Sequence, residues 1–92
     1  MTMTNQEHLE LITTMLNKDP KLPMEKDEIR AAIALKRAQE KVIRTMREKQ
    51  KKMPMLQDQS DMGKLIRKEQ AKSLEDLLQS AKRTLEKLIS NS

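Results

Sequence analysis

The chain has 92 residues, of which 36% are hydrophobic and 36% charged, with no aromatic residue, no cysteine, one histidine and a formal net charge of +5 at pH 7. A chain this short forms one domain at most, and its core must be built from Leu, Ile, Met and Ala alone. Without cysteine there is neither a disulfide framework nor a thiolate metal site, and a single imidazole cannot form a histidine cluster, so no metal and no cofactor is expected.

One glycine and three prolines beside abundant Lys, Glu, Arg and Gln is the composition of helices, not of sheets. Disorder is the competing reading, and periodicity has to decide between them. The first fifteen residues hold Glu7 and Glu10, no Lys or Arg and no continuous apolar run. That pattern speaks against a secretory signal or a transmembrane helix and makes the cytoplasm the expected compartment.

Thr4 followed by Glu7 fits a capping box just ahead of Leu9, Ile12, Met15 and Leu16, which predicts a short helix over about 5–17. Residues 18–23 carry Pro20 and Pro23, each of which disfavours helix in the residue before it, and read as a connector. From Met24 to about Met53 neither Pro nor Gly intervenes. Glu25, Asp27 and Glu28 at the start and Lys49, Lys51 and Lys52 at the end match the polarity of a helix dipole.

At about 100° per residue, Ile29, Ala32, Leu35, Val42, Ile43 and Met46 gather on one face of this second helix, with Gln39 weakening the stripe. Pro54 then breaks the pattern. Asp58 or Ser60 can cap a third helix over about 60–90, in which Met62, Ile66, Gln70, Leu74, Leu77, Ala81, Leu85 and Leu88 recur at steps of three and four, widened by Leu78 and Ile89.

The expected fold is therefore all-α, a single helical domain over 1–92. A short first helix precedes an antiparallel hairpin of two long helices, 24–53 and 60–90, each about 45 Å long. A hairpin buries only its own seam, so a second copy is expected to complete a dimeric bundle. Ile29, Leu35, Val42, Met46, Ile66, Leu74, Leu77, Leu85 and Leu88 are the candidate packing or dimer core. The alternatives are a three-helix monomer with the first helix folded back, a hairpin completed by a different protein, and a chain that folds only on its partner. No repeat of solenoid length is visible.

Catalytic chemistry is hard to place. Asp27 with Glu28, and Glu75 with Asp76, are adjacent in sequence, point in different directions on a helix and read as solvated surface. Gly63 stands alone and reads as a permissive residue in the first turn of the third helix, not as part of a phosphate loop. His8 reads as a surface imidazole. No catalytic residue, small-molecule substrate or enzymatic activity is expected.

Charge is more informative. Between Lys36 and Lys52 eight basic residues face only Glu40 and Glu48, a local net charge of +6 that exceeds the whole chain's +5. Arg30, Arg37, Lys41, Arg44 and Lys51 fall opposite Leu35 and Met46 and form a candidate surface for an anionic partner. A solvated basic face is the plainer reading. There is no aromatic residue to stack on bases, and no recognised DNA-binding motif falls on these residues.

Met53, Met55 and Leu56 cluster beside Pro54 at the hairpin tip, either as an apolar docking point or folded under the end of the bundle. Membrane binding is not expected of a helix lacking Trp or Phe anchors. The sequence thus predicts a non-enzymatic protein-interaction module, a small regulator, adaptor or assembly chaperone acting as a homodimer on another protein. The alternative is a nucleic-acid-binding regulator that uses the basic face of the second helix.

Overall fold

The computed structural model describes residues 2–91, so Met1 and Ser92, the two ends of the domain expected from the sequence, lie outside the described residues. The described residues form four helices and no strand: α1 (Asn5–Asn17), α2 (Lys26–Lys52), α3 (Leu56–Gln70) and α4 (Leu74–Ser90).

The start of α1 is set by the capping box. The Glu7 amide donates to Thr4 Oγ1 at 3.2 Å, and the Thr4 amide donates back to Glu7 Oε1 at 3.3 Å, so two otherwise orphaned donors are satisfied reciprocally. In α2, Asp27 and Glu28 occupy the first turn and Lys49, Lys51 and Lys52 the last, as the helix dipole favours. The start of α3 differs from expectation. It lies at Leu56 with Met55 as an N-cap that supplies no side-chain bond, while Asp58 sits in the first turn and Ser60 within the helix. Pro54 displaces the chain for only three residues, 53–55, before helix resumes.

The larger correction concerns the second limb of the hairpin. The helix expected over 60–90 is two helices, broken at 71–73. Ala71 remains in the right-handed region (φ −77°, ψ −10°), but Ser73 is extended (φ −77°, ψ 171°) and opens α4 through a second capping box. The Asp76 amide donates to Ser73 Oγ at 3.3 Å, and the Ser73 amide donates to Asp76 Oδ2 at 3.0 Å. The apolar spacing runs through this break because periodicity reports that a face is covered, not by what. Before the break the stripe faces α2, whereas after it the stripe faces mainly α1.

Two regions result. In the base, α1 folds back against α4 and against the N-terminal half of α2, and Ile12, Met15 and Leu78 form a buried cluster with Leu11, Leu16, Ala31, Ala32, Leu35, Leu74, Ala81 and Leu85 packed around it. In the arm, the C-terminal half of α2 pairs with α3, and among the described residues α3 packs on no other helix. The radius of gyration is 16.0 Å, against about 12 Å for a compact domain of this length. The arm accounts for the excess, since α2 with its 27 residues is about 40 Å long at 1.5 Å per residue, whereas α1 with 13 residues reaches only about half as far.

Gly63 is also placed differently from expectation, in the middle of α3 and not in its first turn. A Cβ built there would lie 3.3 Å from Gln50 Nε2. Its backbone is ordinary helix, so the glycine serves close approach of α2 and not an unusual turn.

Candidate interaction surfaces

The basic residues singled out in the sequence lie on one exposed face. Arg30, Arg37, Lys41, Arg44 and Lys51 are all solvent-exposed, opposite the covered face of α2 that holds Leu35, Gln39, Ile43, Met46 and Gln50. Most of this arrangement is helical geometry: Arg30, Arg37, Arg44 and Lys51 recur every seventh residue and drift by only about 20° at each of the three steps. Glu48 is the acidic residue that shares this face, between Arg44 and Lys51, and it forms no ion pair with them. The ion pairs among the described residues are Lys18 with Glu28 and Lys72 with Glu69, both remote from this row.

The tip separates the three candidate apolar residues. Leu56 is 86% exposed and Met55 61%, whereas Met53 is half-buried. Of the candidate packing residues, Ile66 and Leu77 are buried, and Leu35, Met46, Leu74 and Leu85 are half-buried. Ile29, Val42 and Leu88 are exposed, at 44%, 42% and 50%. Ile29 and Val42 occupy opposite edges of the apolar stripe, where one neighbouring helix cannot cover both. Val42 lies almost in line with Ala31, eleven residues before it, on the flank that α1 covers lower down. That groove against α1, of about 570 Å³, ends at Leu35, leaving Val42 beyond it.

Glu28 corrects another expectation. It is 4% exposed and not a solvated residue. Lys18 Nζ donates to Glu28 Oε1 at 2.7 Å and to the Pro23 carbonyl at 2.9 Å, and the Glu25 amide donates to the same carboxylate oxygen at 3.4 Å. The hydrogen bond from Lys18 holds the Glu28 carboxyl below its ordinary value, against a burial that raises it, with help from the Glu25 amide and the Lys18 charge. The pair ties the 18–23 connector to α2. Asp27, its neighbour in sequence, is exposed as expected.

Gln39, which weakens the stripe in the sequence, is 8% exposed and structural. Its Nε2 donates to the Glu69 carbonyl at 2.6 Å, which also accepts from the Lys72 amide at 3.2 Å, and to the Lys72 carbonyl at 3.4 Å, so it bridges the end of α3 and the turn that follows. Near the tip, Gln50 Nε2 donates to the Gln59 carbonyl at 2.9 Å and Gln59 Nε2 to the Met53 carbonyl at 3.0 Å. The arm is thus pinned at both ends by amides. Sequence reasoning missed these roles; the one signal was an amide placed where the stripe calls for an apolar side chain.

His8 is exposed. Among the described residues no group of three or more His, Asp or Glu is arranged to hold a metal ion, and no helix is long and apolar enough to cross a membrane. Comparisons with protein-family models, curated protein sequences and solved structures find no match to this chain.

Proposed function

We infer that this chain is a non-enzymatic protein-interaction module, a small regulator or adaptor whose arm is completed by a second polypeptide, in the first instance another copy of itself. The observation that supports this reading is the division of its apolar residues. Five of the described residues form the buried apolar set, while Val42 on the arm's half of α2 and Leu65 on α3 are 42% and 50% exposed. A helix buries its apolar stripe against neighbouring elements, and among the described residues α3 packs on α2 alone. Each half-exposed Ile, Leu or Val still has about 1 kcal/mol to gain from full burial.

Two arms packed side by side form a four-helix arrangement that covers these edges. The reading is tested by sedimentation velocity over micromolar to sub-millimolar concentrations. A mass that doubles with concentration in the native chain, and stays monomeric in Val42→Glu with Leu65→Glu, supports it. A native chain that is monomeric throughout removes the second copy as the partner.

A further inference from the structure

A protein groove receives a helix through apolar anchors spaced at i, i+3, i+4 and i+7. Between Lys36 and Lys52 the outward face of α2 has none. Ile43 and Met46 are half-buried on the packed side, and Val42 lies about 140° around the helix from the crest. The crest carries Arg37 and Arg44 with Glu48 beside them, and Glu40 lies between the crest and one edge, so the six cations of the arc outweigh its two carboxylates. Toward one edge of the exposed arc stand Lys36 and Arg47, and toward the other Lys41 and Lys52, the two edges again about 140° apart. This is a rod of helical diameter with cations on its ridge and on both shoulders.

We propose that this arc is a binding site for the phosphate backbones of double-stranded DNA, with the arm's α2 seated in the major groove. That groove is about 12 Å wide and admits a helix of 10–12 Å diameter, so cations on the two shoulders meet the two walls. The arc is unobstructed over about 24 Å, because α3 packs on the other side of α2 and the groove against α1 ends at Leu35. A-form duplex RNA has a major groove too deep and narrow for this fit. Single strands are held by aromatic stacking platforms, and this chain has no aromatic residue. The amides best suited to read adenine, Gln39 and Gln50, donate to backbone carbonyls within the protein, so the phosphates carry the affinity and the crest arginines Arg37 and Arg44 are the side chains placed to meet base edges.

The test is fluorescence anisotropy with a mixed-sequence DNA duplex as probe, titrated by the native chain over a series of salt concentrations. The same titration is run with the matching single strand, the RNA duplex and polyglutamate as competitors. With about five or six phosphate contacts, log K falls against log salt with a slope of roughly −5. Arg37→Glu with Arg44→Glu lowers affinity by about tenfold or more and brings the slope closer to zero by about 2. Lys64→Glu with Lys68→Glu makes the same charge change on α3, two residues either side of the buried Ile66 and so nearly opposite α2, and lowers affinity far less. If circular dichroism shows the α2 double variant unfolded, Arg37→Gln with Arg44→Gln replaces it, with a slope change of the same sign. Absence of duplex binding at low salt, equal competition by single strand, RNA or polyglutamate, or equal loss in the α3 variant each overturns the proposal.

Discussion

The base and the arm use the same helical alphabet to different ends. In the base, α1, α4 and the first half of α2 bring Ile12, Met15 and Leu78 into one cluster ringed by aliphatic side chains. In the arm, two helices share a seam whose buried apolar member is Ile66, fixed at its ends by Gln39 and Gln50. Apolar burial supplies most of the driving force of folding, whereas a hydrogen bond adds a modest net gain but demands one geometry. The base is therefore where stability resides, and the arm is where register is specified and surface is left over.

That contrast is broken most directly in the base. Leu78 is 5% exposed, and Leu78→Ala is expected to cost about 3 kcal/mol, a large part of the total stability of a chain this size. Val42→Ala, at an exposed edge of the arm, is expected to change monomer stability by about 0.5 kcal/mol or less. With no aromatic reporter in the chain, urea unfolding is followed by far-ultraviolet circular dichroism. Comparable losses from the two substitutions would show that the arm shares the core's stability.

The next effect sits at the junction. Gln39→Ala removes the donor to the Lys72 carbonyl and the second donor to the Glu69 carbonyl, which keeps the Lys72 amide, and is expected to cost about 1–2 kcal/mol. The loss should be local. Amide hydrogen exchange ought to quicken along α3 while α1 and α4 keep their protection; a uniform increase over all four helices would make the two regions one cooperative unit.

Ser73→Ala removes the cap that opens α4, at an expected cost of about 1 kcal/mol. It also tests how the break was hidden. Pro20, Pro23 and Pro54 announce their interruptions, and the Thr4 box placed the start of α1, so those boundaries were legible. The break at 71–73 contains neither Pro nor Gly; its signals are Ser73 with Asp76 as a capping box, preceded by the basic Arg67 and Lys68 and followed by the acidic Glu75 and Asp76. A continuous apolar spacing masked them. The exposure of Arg37, Lys41 and Arg44 followed from helical angle alone, but the burial of Glu28 did not. Its partner Lys18 lies ten residues away across a connector, and only the path of that connector brings them together.

The Glu28 pair offers a contrast by direction of pH response. Because its folded-state carboxyl is held below the ordinary value, its contribution is fully present above that value and is lost as pH falls through the folded one. Acidification through the carboxylate range should loosen the connector and base in a way that Glu28→Gln abolishes. Melting curves of the two proteins, compared near neutrality and in acid, check this; an identical acid response in Glu28→Gln would assign the effect to other carboxylates.

The smallest effect addresses the arm's own seam. Gly63→Ala gains about 1 kcal/mol of helix propensity in the middle of α3, but the new methyl would meet Gln50 Nε2 at 3.3 Å. The neighbour in the way is the end of a flexible side chain, and yielding a few tenths of an ångström strains the bond that Gln50 donates to the Gln59 carbonyl. Since a hydrogen bond is worth about 1 kcal/mol net, the two terms nearly cancel and the change in stability should stay within about 0.5 kcal/mol of zero. Gly63→Ala combined with Gln50→Ala separates them. With the obstructing amide gone, the propensity gain should emerge, so that adding Gly63→Ala to Gln50→Ala stabilises the arm by more than it does in the native chain. Equal increments in both backgrounds would mean that Gln50 does not set the spacing of α2 and α3.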